Sequence, residues 1–247
     1  MIMKELVTVF AACAIAGAVV AADSNVVGYN TLPPDGPWSM LGISFTECAG
    51  GALKLDKLEG AFTSGDQIQV PFTMSDGFTP DFVTYQYLTE ADDLVDADGW
   101  YDGGWSYIGD TVELSQGEGV WYYSASGIKG VTVAGEVSKN VFSKTFVEPF
   151  TMTSSGFPVK FNPNAANFTW SMSSGDQIQI PFTMSDGFTP DFITYQYLTE
   201  SEDLVDVDGW YDGGWALVDN VIADVGQGFW VYSQNGGSVT STSPIAE

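Results

Sequence analysis

The densest concentration of chemically capable side chains is the run Glu90-Ala-Asp-Asp-Leu-Val-Asp-Ala-Asp-Gly-Trp-Tyr-Asp, which returns almost unchanged over Glu200–Asp212. Carboxylates at alternate positions followed by glycine are what a calcium loop needs, because alternate side chains converge on one ion and glycine permits the sharp turn. Asp96, Asp98 and Gly99 supply the second half of a D-x-D-x-D-G loop, but Leu94 stands where the first aspartate belongs and Leu204 repeats the departure. A helix-flanked EF-hand is therefore not expected. Asp93, Asp96, Asp98 and Asp102, with Asp203, Asp206, Asp208 and Asp212, are the candidate ligands of a different calcium site in a β-loop. The rival reading is a solvated acidic loop.

Aromatic residues crowd the same segments. Tyr85, Tyr87, Trp100, Tyr101, Trp105 and Trp121 are mirrored by Tyr195, Tyr197, Trp210, Tyr211, Trp215 and Trp230. A flat ring beside carboxylates and amides suits a sugar, which has apolar faces and polar edges. Trp100, Tyr101, Trp105, Trp210, Tyr211 and Trp215 are thus candidate ligand contacts. The competing account is that they are core anchors, since one buried Trp removes about 150–250 Å² from water and the mature domains would have no disulfide to help them.

Catalysis has little to draw on. Histidine is absent, which removes the commonest general base, every Ser-His or Cys-His arrangement and the usual zinc sites. Glycoside hydrolysis by a carboxylate pair survives as a route, with Glu90 or Glu200 beside an aspartate. Two near-copies of one loop fit repeated binding better than a single cleft, so a non-enzymatic protein is expected.

The elements that position these loops are duplicated. Ser64 to Trp105 reads SGDQIQVPFTMSDGFTPDFVTYQYLTEADDLVDADGWYDGGW, and Ser174 to Trp215 repeats it with five mild differences, a period of 110 residues. Outside this window the likeness fades: Pro37-Trp-Ser-Met echoes Pro149-Phe-Thr-Met, and Gly117-Glu-Gly-Val-Trp echoes Gly226-Gln-Gly-Phe-Trp. Such a period is the size of a domain. A boundary near Gly135 gives a signal peptide at 1–22, a first repeat at 23–134 and a second at 135–247.

Within each repeat, alternation replaces helical periodicity. Ile68, Val70, Phe72 and Met74 share one face while Gln67 and Gln69 face the other way, the pattern of a half-buried strand. Pro71 cannot donate to a ladder, so this strand should be an edge or carry a bulge. Ser75-Asp76-Gly77 supplies a turn into Phe82–Thr89, making a hairpin. Further strands are expected at Val26–Leu32, Trp38–Phe45, Trp105–Ile108, Val120–Tyr123 and Ile128–Val133. The expected fold is all-β: two tandem β-sandwich or jelly-roll-like domains from an internal duplication.

Charge and export narrow the partners. The formal charge is −25 and every basic residue is a lysine, so a nucleic-acid backbone would be repelled. Residues 1–22 have a basic start, an apolar stretch and small residues before Asp23, the form of a secretory signal cleaved after Ala21 or Ala22. Its apolar run is short for a membrane anchor, and Phe10-Ala-Ala-Cys13 only loosely matches a lipobox. Once the signal is removed Cys48 is the sole cysteine, so no disulfide can form within the chain. It is free for packing or for pairing between chains.

Asn25-Val-Val-Gly-Tyr-Asn-Thr, Trp38-Ser-Met-Leu-Gly, Gly65-Asp-Gln-Ile-Gln, Gly99-Trp-Tyr and Gly117-x-Gly-x-Trp together resemble a group of poorly characterised exported bacterial β-repeat proteins. The likeness covers most of the first repeat and, more loosely, the second. It implies a cell-surface or extracellular place and brings no catalytic residues. The sequence thus leads to an exported surface or matrix protein that self-associates or binds a partner protein or glycan, with calcium as an aid. It would not enter a membrane after signal cleavage. A tandem carbohydrate-binding module is the alternative.

Overall fold

The computed structural model describes residues 26–32, 37–47, 50–72, 81–126, 130–146, 149–182 and 191–245. The export segment, Cys13, Cys48 and the turns expected inside 73–80 and 183–190 lie outside the described residues. The fold is all-β with antiparallel sheets; one 3-10 turn at Leu55–Lys57 is the other regular element among the described residues. None of the described residues forms a helix long and apolar enough to cross a membrane.

The alternation in the repeated window does form a hairpin. Gln67–Phe72 pairs antiparallel with Asp81–Leu88, with Ile68 opposite Tyr85 and Val70 opposite Val83, and Gln177–Phe182 pairs with Asp191–Leu198 in the same register. The apolar face is buried at one end only: Ile68 is fully buried while Phe72 is half exposed. Pro71 was expected at an edge or a bulge, yet its strand is the centre of a five-stranded sheet and its pairing with Asp81–Leu88 runs through Pro71 without a break. The pairing with Gly119–Tyr123 stops at Gln69, so the proline faces no ladder on that side and its missing N–H costs nothing.

Both repeats build the same five-stranded sheet; the first also pairs Leu53–Lys54 with Glu113–Leu114, where the second has only a bridge between Phe161 and Ala223. In the first, the order is Trp38–Gly42, Gly119–Tyr123, Gln67–Phe72, Asp81–Leu88, Gly99–Tyr101; in the second it is Phe150–Thr153, Phe229–Tyr232, Gln177–Phe182, Asp191–Leu198, Gly209–Tyr211. A three-stranded sheet accompanies each: Val27–Leu32, Val131–Glu136 and Leu58–Gly60, matched by Phe142–Phe146, Gly237–Ser241 and Phe168–Ser171. Val131–Glu136 runs one residue past Gly135 and pairs through Glu136 with Val27 of the first repeat. Trp105–Ile108 is not a strand but a turn that touches the sheet only where Tyr107 bridges Tyr101. Buried residues of both repeats, among them Phe45, Ile68 and Tyr122 with Phe161, Ile178 and Phe229, belong to one continuous cluster.

The two copies meet about a pseudo-twofold axis. Met40 pairs with Trp121 and Met152 with Trp230, which makes residues 41 and 153 counterparts, and likewise 118 and 227. The edges join reciprocally, Leu41 bridging Gln227 and Thr153 bridging Glu118. Gly42 N–H donates to Gly226 O at 2.7 Å, and its counterpart Ser154 N–H donates to Gly117 O at 3.1 Å. Met40, Trp121, Met152 and Trp230 close a second small core over this seam, with Phe82 of one repeat 6.4 Å from Trp230 of the other.

Glu118 and Gln227 hold equivalent places in the seam. Burial raises the Glu118 carboxyl above its ordinary range; the Ser115 N–H, donating at 2.8 Å, and the Lys144 charge pull the other way. A carboxyl whose folded pKa lies above its unfolded value holds its proton more tightly when folded. The stability tied to that proton is present at acidic pH and is lost as pH rises from the unfolded pKa through the folded one. Glu118→Gln, which installs the second repeat's residue, is therefore expected to stabilise the protein at neutral pH and to leave it unchanged below the carboxylate range. Denaturant titrations at both pH values check this, and an equal effect at both would refute the linkage.

Candidate functional site

The repeated acidic run folds as a loop braced by its own carboxylates. Thr89 N–H donates to Asp93 Oδ2 at 2.9 Å, Glu90 N–H to Asp98 Oδ1 at 2.7 Å, and the Tyr101 hydroxyl to Ala97 O at 2.8 Å. The second copy repeats all three through Asp203, Asp208 and Tyr211. There Ser174 Oγ also donates to Asp203 at 2.6 Å, and with the Thr199 N–H it holds that carboxyl below its ordinary range. Asp93, Asp98, Asp203 and Asp208 thus act as caps on loop amides. Among the described residues no group of three or more carboxylates is gathered in a way that would hold a metal ion.

Gly99–Tyr101 then runs along the sheet and delivers the chain to a tight turn. Asp102 Oδ1 accepts the N–H groups of Gly104 and Ser106, both at 2.9 Å, and Trp105 N–H returns to Asp102 O at 3.0 Å. Asp212 does the same for Gly214 at 2.8 Å and Ala216 at 2.9 Å. The turn forces Trp105 and Trp215 into the left-handed region, with φ of 64° and 65°. They are the only non-glycine residues with positive φ among those described. A bulky side chain there costs on the order of 1–3 kcal/mol, and both copies carry it.

The candidate aromatics divide sharply by burial. Trp100 and Trp210 are 2% and 0% exposed, and Tyr101 and Tyr211 are 5% and 6% exposed. Trp100 packs edge-on against Phe62 at 5.1 Å and Tyr87 at 5.3 Å, while Trp210 meets Trp170 at 5.0 Å and Tyr197 at 5.3 Å. Trp100 and Trp210, so enclosed, have no face to offer a ligand and are core anchors, while Tyr101 and Tyr211 are nearly as buried and only border the space beside Trp105 and Trp215. Trp105 and Trp215, by contrast, are 60% and 64% exposed.

Those two tryptophans wall matching grooves. The first, of about 410 Å³, is lined by Leu94, Val95, Asp96, Tyr101, Trp105 and Tyr107, among others. The second, of about 330 Å³, is lined by Leu204, Val205, Asp206, Tyr211, Trp215 and Leu217. Leu94 and Leu204, the residues that spoil the calcium pattern, project fully into solvent at the rims of the grooves. Tyr107 lies edge-on to Tyr101 at 5.7 Å and packs over Gly99, where a Cβ would meet its ring at 2.5 Å. Burial raises the Tyr107 hydroxyl above its ordinary range, helped by the charges of Asp56 and Asp110. Sequence reasoning missed Tyr107 by placing it in a strand, and it took Leu94 for a defect. Glu90 and Glu200 stand exposed on the loops, outside both linings.

Trp105→Gly removes the groove wall and the backbone strain together. Glycine costs roughly 1 kcal/mol of chain entropy against strain of similar size. Urea denaturation is therefore expected to show stability unchanged or raised by up to about 1 kcal/mol. A loss beyond about 1 kcal/mol would mean that the ring is needed for packing.

No family model matches the sequence, and neither curated proteins nor solved structures include a significant relative.

Proposed function

We propose that the protein is exported, non-catalytic and built to hold a partner at the cell surface or in the extracellular matrix through its two equivalent grooves. In this reading each repeat is a β-sandwich of its five-stranded and three-stranded sheets, and the duplication serves bivalence. Two sites on one body raise avidity by orders of magnitude without any new contact. The observation that carries the reading is the left-handed, solvent-facing tryptophan beside a fully exposed leucine, present in both copies. Backbone strain at the edge of a groove supports a working surface, because strained residues cluster at binding sites.

The test compares retention of the purified chain on its producer's cell-surface fraction with that of Trp105→Gly/Trp215→Gly. Retention is expected to fall at least about tenfold, as two lost hot-spot rings imply, with the melting temperature held. Calcium and EDTA are run alongside: retention that EDTA lowers and calcium restores would make the binding calcium-assisted, and the same retention in both would leave calcium out of it. Equal retention by both proteins would remove the grooves from the function.

A second reading, glycan binding, is favoured by a different observation. One sheet row places half-buried Trp38 and Tyr123, 4.9 Å apart, beside Gln67 and Gln86 with no charged side chain, and the second repeat repeats it with Phe150, Tyr232, Gln177 and Gln196. Binding to neutral polysaccharide that survives in Trp105→Gly/Trp215→Gly but drops in Tyr123→Ala/Tyr232→Ala would establish it. Absence of such binding would set it aside.

A further inference from the structure

Charge decides what the grooves can receive. The loop that walls the first groove carries Glu90, Asp92, Asp93, Asp96, Asp98 and Asp102 without one basic residue between them, and no lysine follows Lys160 anywhere in the second repeat. An anionic or acidic partner is repelled there, and so is a second copy of this chain at −25. Asp93, Asp98 and Asp102 are spent on loop amides, but Asp96 and Asp206 make no hydrogen bond or ion pair with described residues while lining the grooves. Each groove therefore combines an uncommitted carboxylate, an open tryptophan face and an exposed leucine.

We infer that each groove takes a cationic segment of a partner protein, a lysine or arginine side chain laid on Trp105 or Trp215 with its charge against Asp96 or Asp206 and an apolar neighbour on Leu94 or Leu204. The inference rests on the groove-binding reading above. A cation over a Trp face, with a carboxylate at its rim, gains from both the ring quadrupole and the counter-charge. The copies differ in one useful way: Tyr107 gives the first groove a third ring where the second has Leu217. The first site should bind a cation about two- to fivefold more tightly, the worth of one exposed cation–π contact.

The experiment titrates the full chain with a short peptide alternating leucine and lysine, with the same peptide acetylated on its lysines, and with neutral polysaccharide. The lysine peptide should bind at two sites, and Asp96→Asn/Asp206→Asn should weaken it about two- to fivefold. Glu59→Gln/Asp224→Asn, which remove the same charge from exposed positions off the groove linings, should leave it nearly unchanged. Tyr107→Leu should bring the tighter site to the level of the other. Equal weakening by both charge pairs would reduce the effect to the general field and overturn the inference. Equal, Trp105-dependent binding of the acetylated peptide would overturn it too while leaving the grooves as binding sites. If none of the probes depends on Trp105 or Trp215, the groove reading itself falls.

Discussion

Asp66→Ala is expected to lower stability by about 4 kcal/mol, and Asp176→Ala to do nearly the same in the other repeat. Asp66 is completely buried and Asp176 is 2% exposed. Asp66 ties its own turn to the 122–125 stretch: Oδ2 accepts Thr63 N–H at 2.9 Å and the Tyr122 hydroxyl at 3.3 Å, and Oδ1 accepts Ala125 N–H at 2.8 Å. Burial pushes the Tyr122 hydroxyl up to about 12, so it remains a donor throughout the accessible pH range. Alanine would strand those donors at roughly 1–3 kcal/mol each, with water recovering part at the two amides nearer the surface. In the second repeat Val231 stands where Tyr122 does, and Ser233 Oγ supplies the third donor at 3.0 Å, beside Ser173 and Gln234 N–H. Asn at either position keeps one acceptor and should cost less than half as much. Chemical denaturation measures all four variants; a loss under about 1 kcal/mol for Asp66→Ala would show that the network contributes little.

Gly228→Val should lower stability by about 3 kcal/mol and the melting temperature by about 6–12 °C. A Cβ at Gly228 would lie 2.8 Å from Leu41 O, and one at the counterpart Gly119 would lie 2.9 Å from both Thr153 N and Thr153 O. These neighbours are backbone atoms of the opposite repeat, which no rotamer change can move aside. Gly117 and Gly226 add a conformational demand, with φ of 79° and 77°, a region glycine enters without strain. The Gly-x-Gly-x-Trp motif is therefore the device by which one repeat's edge comes within hydrogen-bonding distance of the other. Gly119→Val should match Gly228→Val, because the seam is pseudo-symmetric. Calorimetry that shows either variant melting like the parent would refute a close backbone seam; a split of one transition into two would support it strongly.

Much of the local structure was legible beforehand. The 67–72 and 81–88 hairpin follows from alternation of Ile68 and Val70 with Gln67 and Gln69, since a period of two is a property of the strand itself. The failures were of another kind. Tyr107 and Ile108 have strong strand preferences, yet Asp102 captures two amides and turns the chain at Trp105; a local side-chain bond outcompeted propensity. Pro71 was expected at an edge or a bulge because the length of its neighbour's pairing cannot be read from its own strand. Trp100 and Trp105 sit five residues apart in the same motif, and nothing in their spacing separates core anchor from groove wall.

By itself, the sequence determined that the chain is a duplicated, strongly acidic β-protein, because composition, period-two patterning and repetition are carried by residues near one another in the chain. Only the tertiary structure decided which aspartates cap loops and which stand free, which tryptophans are buried, and that Gly-x-Gly marks a join. The join depends on atoms far apart in the chain, as where Gly42 meets Gly226, and the tryptophans on the water that packing removes from one ring and leaves on another; the caps are local bonds, such as Thr89 N–H to Asp93, that the residue pattern alone does not single out.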